Sequence, residues 1–187
     1  MTSDSRPYDP TTQRRNDPMT SAPHMDLDYK AIFKRLNELN IDYLVVGGLA
    51  VNFHGVPRMT YDIDIIISLQ RENILRLVSQ LSEWGYEPKI PIEPVDLADP
   101  PKRAAWIKDK GLKAVDFHNT KLAIAEMDVL IDSPLTFAEL KGRAVKISLE
   151  GVLVPTVSIH DLIQLKLTAG RKQDLADVEH LRRALDK

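Results

Sequence analysis

Apolar residues recur along this chain with two periods, one helical and one alternating, and the switches between them outline its elements. Tyr29, Ile32, Phe33, Leu36 and Leu39 fall at helical spacing and predict an amphipathic helix over 26–40. The apolar run 41–46 predicts a short buried strand, broken by Gly47-Gly48. A second helix is expected over 49–54, stopped by Gly55 and Pro57, and a second strand over 61–68. Ile74, Leu75, Leu77, Val78 and Leu81 mark the buried side of a helix over 71–84, closed by Gly85. Five prolines in 88–101 predict an irregular surface excursion, with a short helix following over 102–108. Segments 114–118 and 122–131 read as paired strands about Asn119-Thr120, and 145–149 with 152–154 as a hairpin through Glu150-Gly151. Ser158, with Asp161 three residues on, is a variant capping box that opens a helix over 159–169. Gly170 separates it from a last helix over 172–185.

Residues 1–25 stand apart. They are polar, punctuated by Pro7, Pro10, Pro18 and Pro23, and hold too little apolar surface to offset the entropy of ordering. They predict a disordered tail ahead of one domain over 26–187 whose last part, from about 158, is helical. Helices interleaved with strands of mixed character predict an α+β fold, a mixed sheet with helices packed on it. At 187 residues, 43% hydrophobic and 28% charged, the chain is sized for one well-filled core. A net charge of −2 supplies no overall cationic field for nucleic acid or membrane. Lys166, Arg171, Lys172, Arg182 and Arg183 leave room for a local basic patch. The absence of cysteine removes disulfides, thiol nucleophiles and thiolate zinc sites, and agrees with a cytoplasmic setting. No apolar run approaches the roughly 18 residues of a membrane span.

The chemistry concentrates at Asp62-Ile63-Asp64, which leads into Ile65-Ile66-Ile67. In a strand, side chains two apart share a face, so the two carboxylates point together. A bare Asp-x-Asp is most often a solvated strand end. Here Gly47-Gly48 precedes it, at a strand-to-helix turn where the missing Cβ atoms let a ligand approach the backbone. A phosphate held there would face carboxylates able to hold Mg²⁺, the arrangement that metal-assisted nucleotidyl transfer requires. A two-ion site needs a third acid. Asp128 in a largely apolar strand is the first candidate, Asp116 the fallback, and Glu126 shares the face of Asp128. No Walker loop is present, so a P-loop ATPase is excluded. His54 and His118 lack a second histidine at ligand spacing and read as structural, and Trp84 and Trp106 as packing anchors.

Gly47-Gly48-Leu49-Ala50-Val51-Asn52-Phe53-His54-Gly55, then Arg58, Thr60 and Asp62-Ile63-Asp64, resembles the signature of the nucleotidyltransferase superfamily. The likeness is strongest to its small bacterial AbiEii-like members. Asp128-Val129-Leu130 and the stretch from Lys166 to Val178 extend it. The resemblance implies a polymerase-β-like fold and transfer of a nucleoside monophosphate from an NTP to an acceptor. It implies Asp62, Asp64 and Asp128 as catalytic metal ligands for two Mg²⁺ ions. Gly47, Gly48 and Lys166 would serve the triphosphate, with Arg58, Thr60 and Asp174 beside them. The acceptor would be tRNA, a protein or a small molecule, and a toxin–antitoxin or phage-defence role with a cognate antitoxin fits the same kinship. The chain departs from the pattern at Leu49, where many members carry a serine or threonine. That departure favours another reading, a nucleotide- or partner-binding relative without transfer. A metal-dependent nuclease or phosphohydrolase is a third, and would leave the glycine pair without a role.

Overall fold

A computed structural model of the chain describes residues 28–121 and 126–186. The tail expected over 1–25, and the first residues of the strand expected over 122–131, lie outside the described residues.

Helix α1 (Tyr29–Glu38) opens at Asp28, whose carboxylate accepts from the Ala31 N–H, and buries Phe33 and Leu36. Phe33 stacks on Tyr43 of β1 (Tyr43–Val45) at 6.0 Å between ring centroids. Helix α2 (Gly47–Phe53) follows β1 almost directly, and a loop then carries Arg58 and Thr60 to β2 (Ile63–Ile67). Helix α3 (Arg71–Glu83) packs Ile74, Leu77 and Leu81 into the core. Its buried Asn73 accepts from the Asp42 N–H and donates to the carbonyls of Asp42 and Ser68, tying the helix to the ends of β1 and β2.

The proline-rich segment is more ordered than its composition suggested. Tyr86–Pro88 forms β3, a 3₁₀ turn spans Pro94–Ala98, and α4 (Pro100–Lys110) starts on its two prolines with Asp99 as cap. Proline lacks only a donor that the first helical turn leaves unpaired anyway, so here it begins a helix. Strands β4 (Ala114–Asn119) and β5 (Glu126–Leu130) pair antiparallel. Helix α5 (Phe137–Arg143) had not been anticipated, although Thr136 and Glu139 form a reciprocal capping box there. Strands β6 (Val145–Leu149) and β7 (Val152–Thr156) make the expected hairpin. Helices α6 (Ile159–Ala169) and α7 (Lys172–Leu185) meet at Gly170, whose φ of +66° suits glycine.

Among the described residues seven strands form one mixed sheet in the order β3-β4-β5-β2-β1-β7-β6, parallel at β2–β5 and β1–β7 and antiparallel elsewhere. This is the α+β layer arrangement the pattern predicted. Ile63, Ile65, Met127, Val129, Val115 and Phe117 are fully buried on one face of β2, β5 and β4. Alternation turns the intervening acidic residues to the opposite face. Helix α2 packs on both β2 and α6, which brings the C-terminal helices to that acidic side. No helix among the described residues is long and apolar enough to cross a membrane.

Candidate active site

Strand register lines up the acids. Asp64 lies opposite Asp128 and Asp128 opposite Asp116, so β2, β5 and β4 carry one carboxylate row across the sheet. Neighbouring strands are about 4.8 Å apart, which leaves like charges close together. Two residues earlier on β5 and two later on β4, Glu126 and His118 face each other on the same side. Asp62 sits just before β2, within electrostatic reach of Glu126, and Lys89 holds Glu126 at 2.6 Å.

The glycine turn fits against this row in a way the sequence did not disclose. Gly47 has φ +61°, and a Cβ there would lie 1.9 Å from Asp64 Oδ2. A Cβ on Gly48 would lie 2.6 Å from Arg58 Nη1 and 2.7 Å from Thr60 Oγ1. The space beside both glycines therefore holds this chain's own side chains, where open room for a ligand had been expected. The Gly48 N–H donates to Asp64 Oδ2 at 3.3 Å, and the Val46 N–H to the Asp64 carbonyl at 2.9 Å. Small residues at 47 and 48 thus let the acid and the Arg58 loop close on the turn. Gly47→Ala is expected to lower stability by at least about 1 kcal/mol through its backbone alone, and to displace Asp64. Thermal melts of the variant, read beside its catalytic activity, check both effects.

Burial first, and then mutual repulsion, raises the carboxyls of Asp62, Asp64 and Asp128. Asp62 is held above its ordinary range by desolvation and then by Glu126, with Lys89 and Arg58 opposing. Burial raises Asp64 against the pull of the Gly48 N–H, Lys166 and Arg171. Asp128 is pushed up to about 7, first by burial and then by Asp116, Asp64, Asp62 and Glu126. Its Oδ1 is buried without a hydrogen-bond partner among the described residues, as is His118 Nδ1. The folded chain therefore keeps a proton on Asp128 that the unfolded chain, at 3.8, has already released. Its contribution to stability falls as pH rises from about 4 to about 7 and levels off above. In metal-free buffer the wild-type minus Asp128→Asn difference in melting temperature should decline across that window.

The C-terminal helices add a buried ionic cluster. Lys166 Nζ bonds Asp174 Oδ1 at 3.1 Å and Asp177 Oδ2 at 2.7 Å, and all three residues are buried. Arg58 reaches Asp177 Oδ2 at 3.1 Å, and Arg171 Nε donates to Asp174 Oδ2 at 2.7 Å. Burial works to raise Asp174, but its bonds to Arg171 and Lys166 hold it below the ordinary carboxylate range. Through Lys166, Asp174, Asp177 and Arg58 the cluster joins α6 and α7 to the loop after the glycine turn. Asp177, which sequence reasoning left without a role, is the hub between Arg58 and Lys166. Its spacing of three from Asp174 was the available signal.

A cleft of about 780 Å³ lies over the site, and its lining includes Gly47, Asp64, Asp128 and Asp116 together with Lys166 and Arg171 from the C-terminal part of the chain. Asp62 is outside that lining, and so are Gly48, Arg58 and Thr60, which brace the turn from behind. His54 Nε2 lies 2.8 Å from the Val157 carbonyl, a structural tie. No three acidic, histidine or cysteine side chains among the described residues stand in a ready metal-holding group. The donor chemistry nonetheless fits a hard cation: oxygen ligands only, repelling one another, with one carboxylate oxygen left bare.

Residues 24–183 match the family described as "Nucleotidyltransferase of unknown function (DUF6036)". No curated protein matches the sequence. Among solved structures, the chain is similar to the lincosamide antibiotic adenylyltransferase LnuA with lincomycin bound, at 12% identity and TM-score 0.55, over 82% of this chain and 93% of that one. A protein of Thermotoga maritima (TM1012), solved as a candidate nucleotidyltransferase, matches at 18% identity and TM-score 0.52, over 84% and 89%. ANT(2'')-Ia in complex with adenylyl-2''-tobramycin matches at 14% identity and TM-score 0.54, over 82% and 85%. At these identities the likeness is one of fold, and the fold is the polymerase-β-like nucleotidyltransferase fold.

Proposed function

The chain belongs to the DUF6036 nucleotidyltransferase family, and from that membership and the acid row beside the glycine turn we propose that it moves a nucleoside monophosphate from an NTP to an acceptor hydroxyl in a Mg²⁺-dependent reaction. The observation that carries this reading is the register of Asp64 with Asp128, where a bare carboxylate oxygen sits inside an acid row facing a cleft. Asp62, Asp64 and Asp128 are the residues that would hold the metal. When bound, Mg²⁺ would offset charge on the triphosphate and on the leaving pyrophosphate.

The remaining work falls to the protein. Gly47, Lys166 and Asp174 line the end of the cleft that takes the NTP phosphates, and Gly48, Arg58 and Thr60 brace the glycine turn beside it. The acceptor oxygen bonds to the α-phosphorus as the bond to the β-phosphate breaks and pyrophosphate leaves. Asp128 accepts the hydroxyl proton as general base. The acceptor is a hydroxyl on tRNA, a protein or a small molecule. The names of LnuA and ANT(2'')-Ia point to antibiotic acceptors for those proteins and favour the small-molecule arm. The resemblance of the glycine turn and Asp62-Ile63-Asp64 to AbiEii-like members supports a cytoplasmic toxin–antitoxin or phage-defence setting with a cognate antitoxin.

A second reading, nucleotide or partner binding without transfer, is favoured by Leu49 and by the side chains that fill the space beside both glycines. Incubation with each of four α-labelled NTPs and cell lysate separates the two. Transfer predicts label on RNA, protein or a small molecule with release of pyrophosphate. NTP binding without pyrophosphate release supports the binder, and hydrolysis without an acceptor supports a phosphohydrolase.

A further inference from the structure

Two cations from the C-terminal part of the chain, Lys166 and Arg171, line the same cleft as the acid row, and the structure gives them different work. The Lys166 side chain is only 5% exposed, and its ammonium is bonded to Asp174 and Asp177, which are themselves buried. Drawing it toward a ligand would leave two buried carboxylates short of a counter-charge, a change that costs several kcal/mol. Lys166 is therefore anchored as the counter-ion of that pair. Arg171 is built the other way. Its side chain is 78% exposed, and Asp174 engages only its Nε and one Nη2 donor, at 2.7 and 3.5 Å. A guanidinium has five N–H donors, and among the described residues hydrogen bonds are recorded only from Arg171 Nε and Nη2, both to Asp174.

We propose that Arg171 is the residue that contacts the NTP phosphates, with Asp174 as the positioning residue that fixes its planar fork toward the cleft. The inference rests on the nucleotide reading above and assigns the direct phosphate contact within it. The geometry is that of a braced clamp: a buried carboxylate grips one edge of the guanidinium and presents the other, so little side-chain freedom remains to be lost on binding. The electrostatics agree. Arg171 acts on the carboxyl of Asp64, and Asp64 and Asp128 both act on Arg171, which puts the guanidinium within electrostatic reach of the acid row. The triphosphate would then lie between an acid row that takes metal and a basic fork that takes oxygen.

The test uses magnesium tripolyphosphate, the part shared by every NTP, titrated by calorimetry into the full chain. Arg171→Gln is expected to weaken binding about tenfold or more, the scale of a charge-assisted hydrogen-bond pair. Lys172→Gln removes the same charge one residue away from an exposed position and should stay within about twofold. Lys172→Gln should melt with the wild type, whereas Arg171→Gln, which withdraws one partner from the buried Asp174 but leaves it Lys166, should melt lower yet stay folded at the temperature of the titration. Equal losses in both variants would mean a general field rather than a clamp and would overturn the proposal. So would wild-type affinity retained in Arg171→Gln, which leaves the nucleotide reading standing. A wild-type protein that binds neither tripolyphosphate nor any NTP overturns both.

Discussion

Asp64→Asn is expected to abolish nucleotide transfer while leaving the fold as stable as the wild type or more so. The expected loss is about 10³-fold or more, equivalent to about 4 kcal/mol of transition-state stabilisation withdrawn with a metal ligand. The stability half follows from burial: the Asp64 carboxyl is raised chiefly by desolvation, so the folded chain resists the very charge the site needs. Asparagine keeps the shape and an oxygen that accepts from the Gly48 N–H, and it removes repulsion from Asp62. Transfer of labelled nucleotide and a thermal melt on the same preparation read both halves. A variant that loses transfer only because it unfolds would assign Asp64 to structure, and one that keeps transfer would remove it from the site.

The largest stability loss is expected at Asp177. Its Oδ2 is held by Lys166 at 2.7 Å and by Arg58 at 3.1 Å, and Gln173 donates to its other oxygen. Asp177→Ala leaves Arg58 without that partner and Lys166 with Asp174 as its remaining carboxylate. Breaking one partner out of a buried ion cluster costs roughly 3–5 kcal/mol. In a chain of this length that corresponds to a fall in melting temperature on the order of 6–20 °C. Transfer should fall as well, because Arg58 packs where a Gly48 side chain would stand and holds the turn against Asp64. The melt reads the first effect. A raised KM for NTP in the fraction still folded reads the second.

What the sequence disclosed of this molecule followed the reach of local physics. The alternation around Ile63 and Ile65 placed Asp62 and Asp64 on the face away from the core, and the apolar spacing of α1, α3, α6 and α7 located those helices. Residues 88–101 were misjudged because proline was read as a breaker, whereas Pro100 and Pro101 sit where a helix needs no donor. Helix α5 was missed because its apolar face is short; its capping box was the better signal. The site was only half legible. Which strand stands beside β2 is a long-range outcome, so the alignment of Asp128 and Asp116 with Asp64 needed the sheet. The same holds for the glycine pair. Its composition announced close approach, and only the packed structure shows that the groups approaching are Asp64, Arg58 and Thr60.

The most direct measurement is an anomalous difference map from crystals grown with Mn²⁺ and a non-hydrolysable NTP analogue. The account predicts manganese between the β2 and β5 carboxylates, touching Asp64 and the bare Oδ1 of Asp128, with the phosphates on the side of Arg171. Manganese bound elsewhere, or a nucleotide seated away from this cleft, would contradict it.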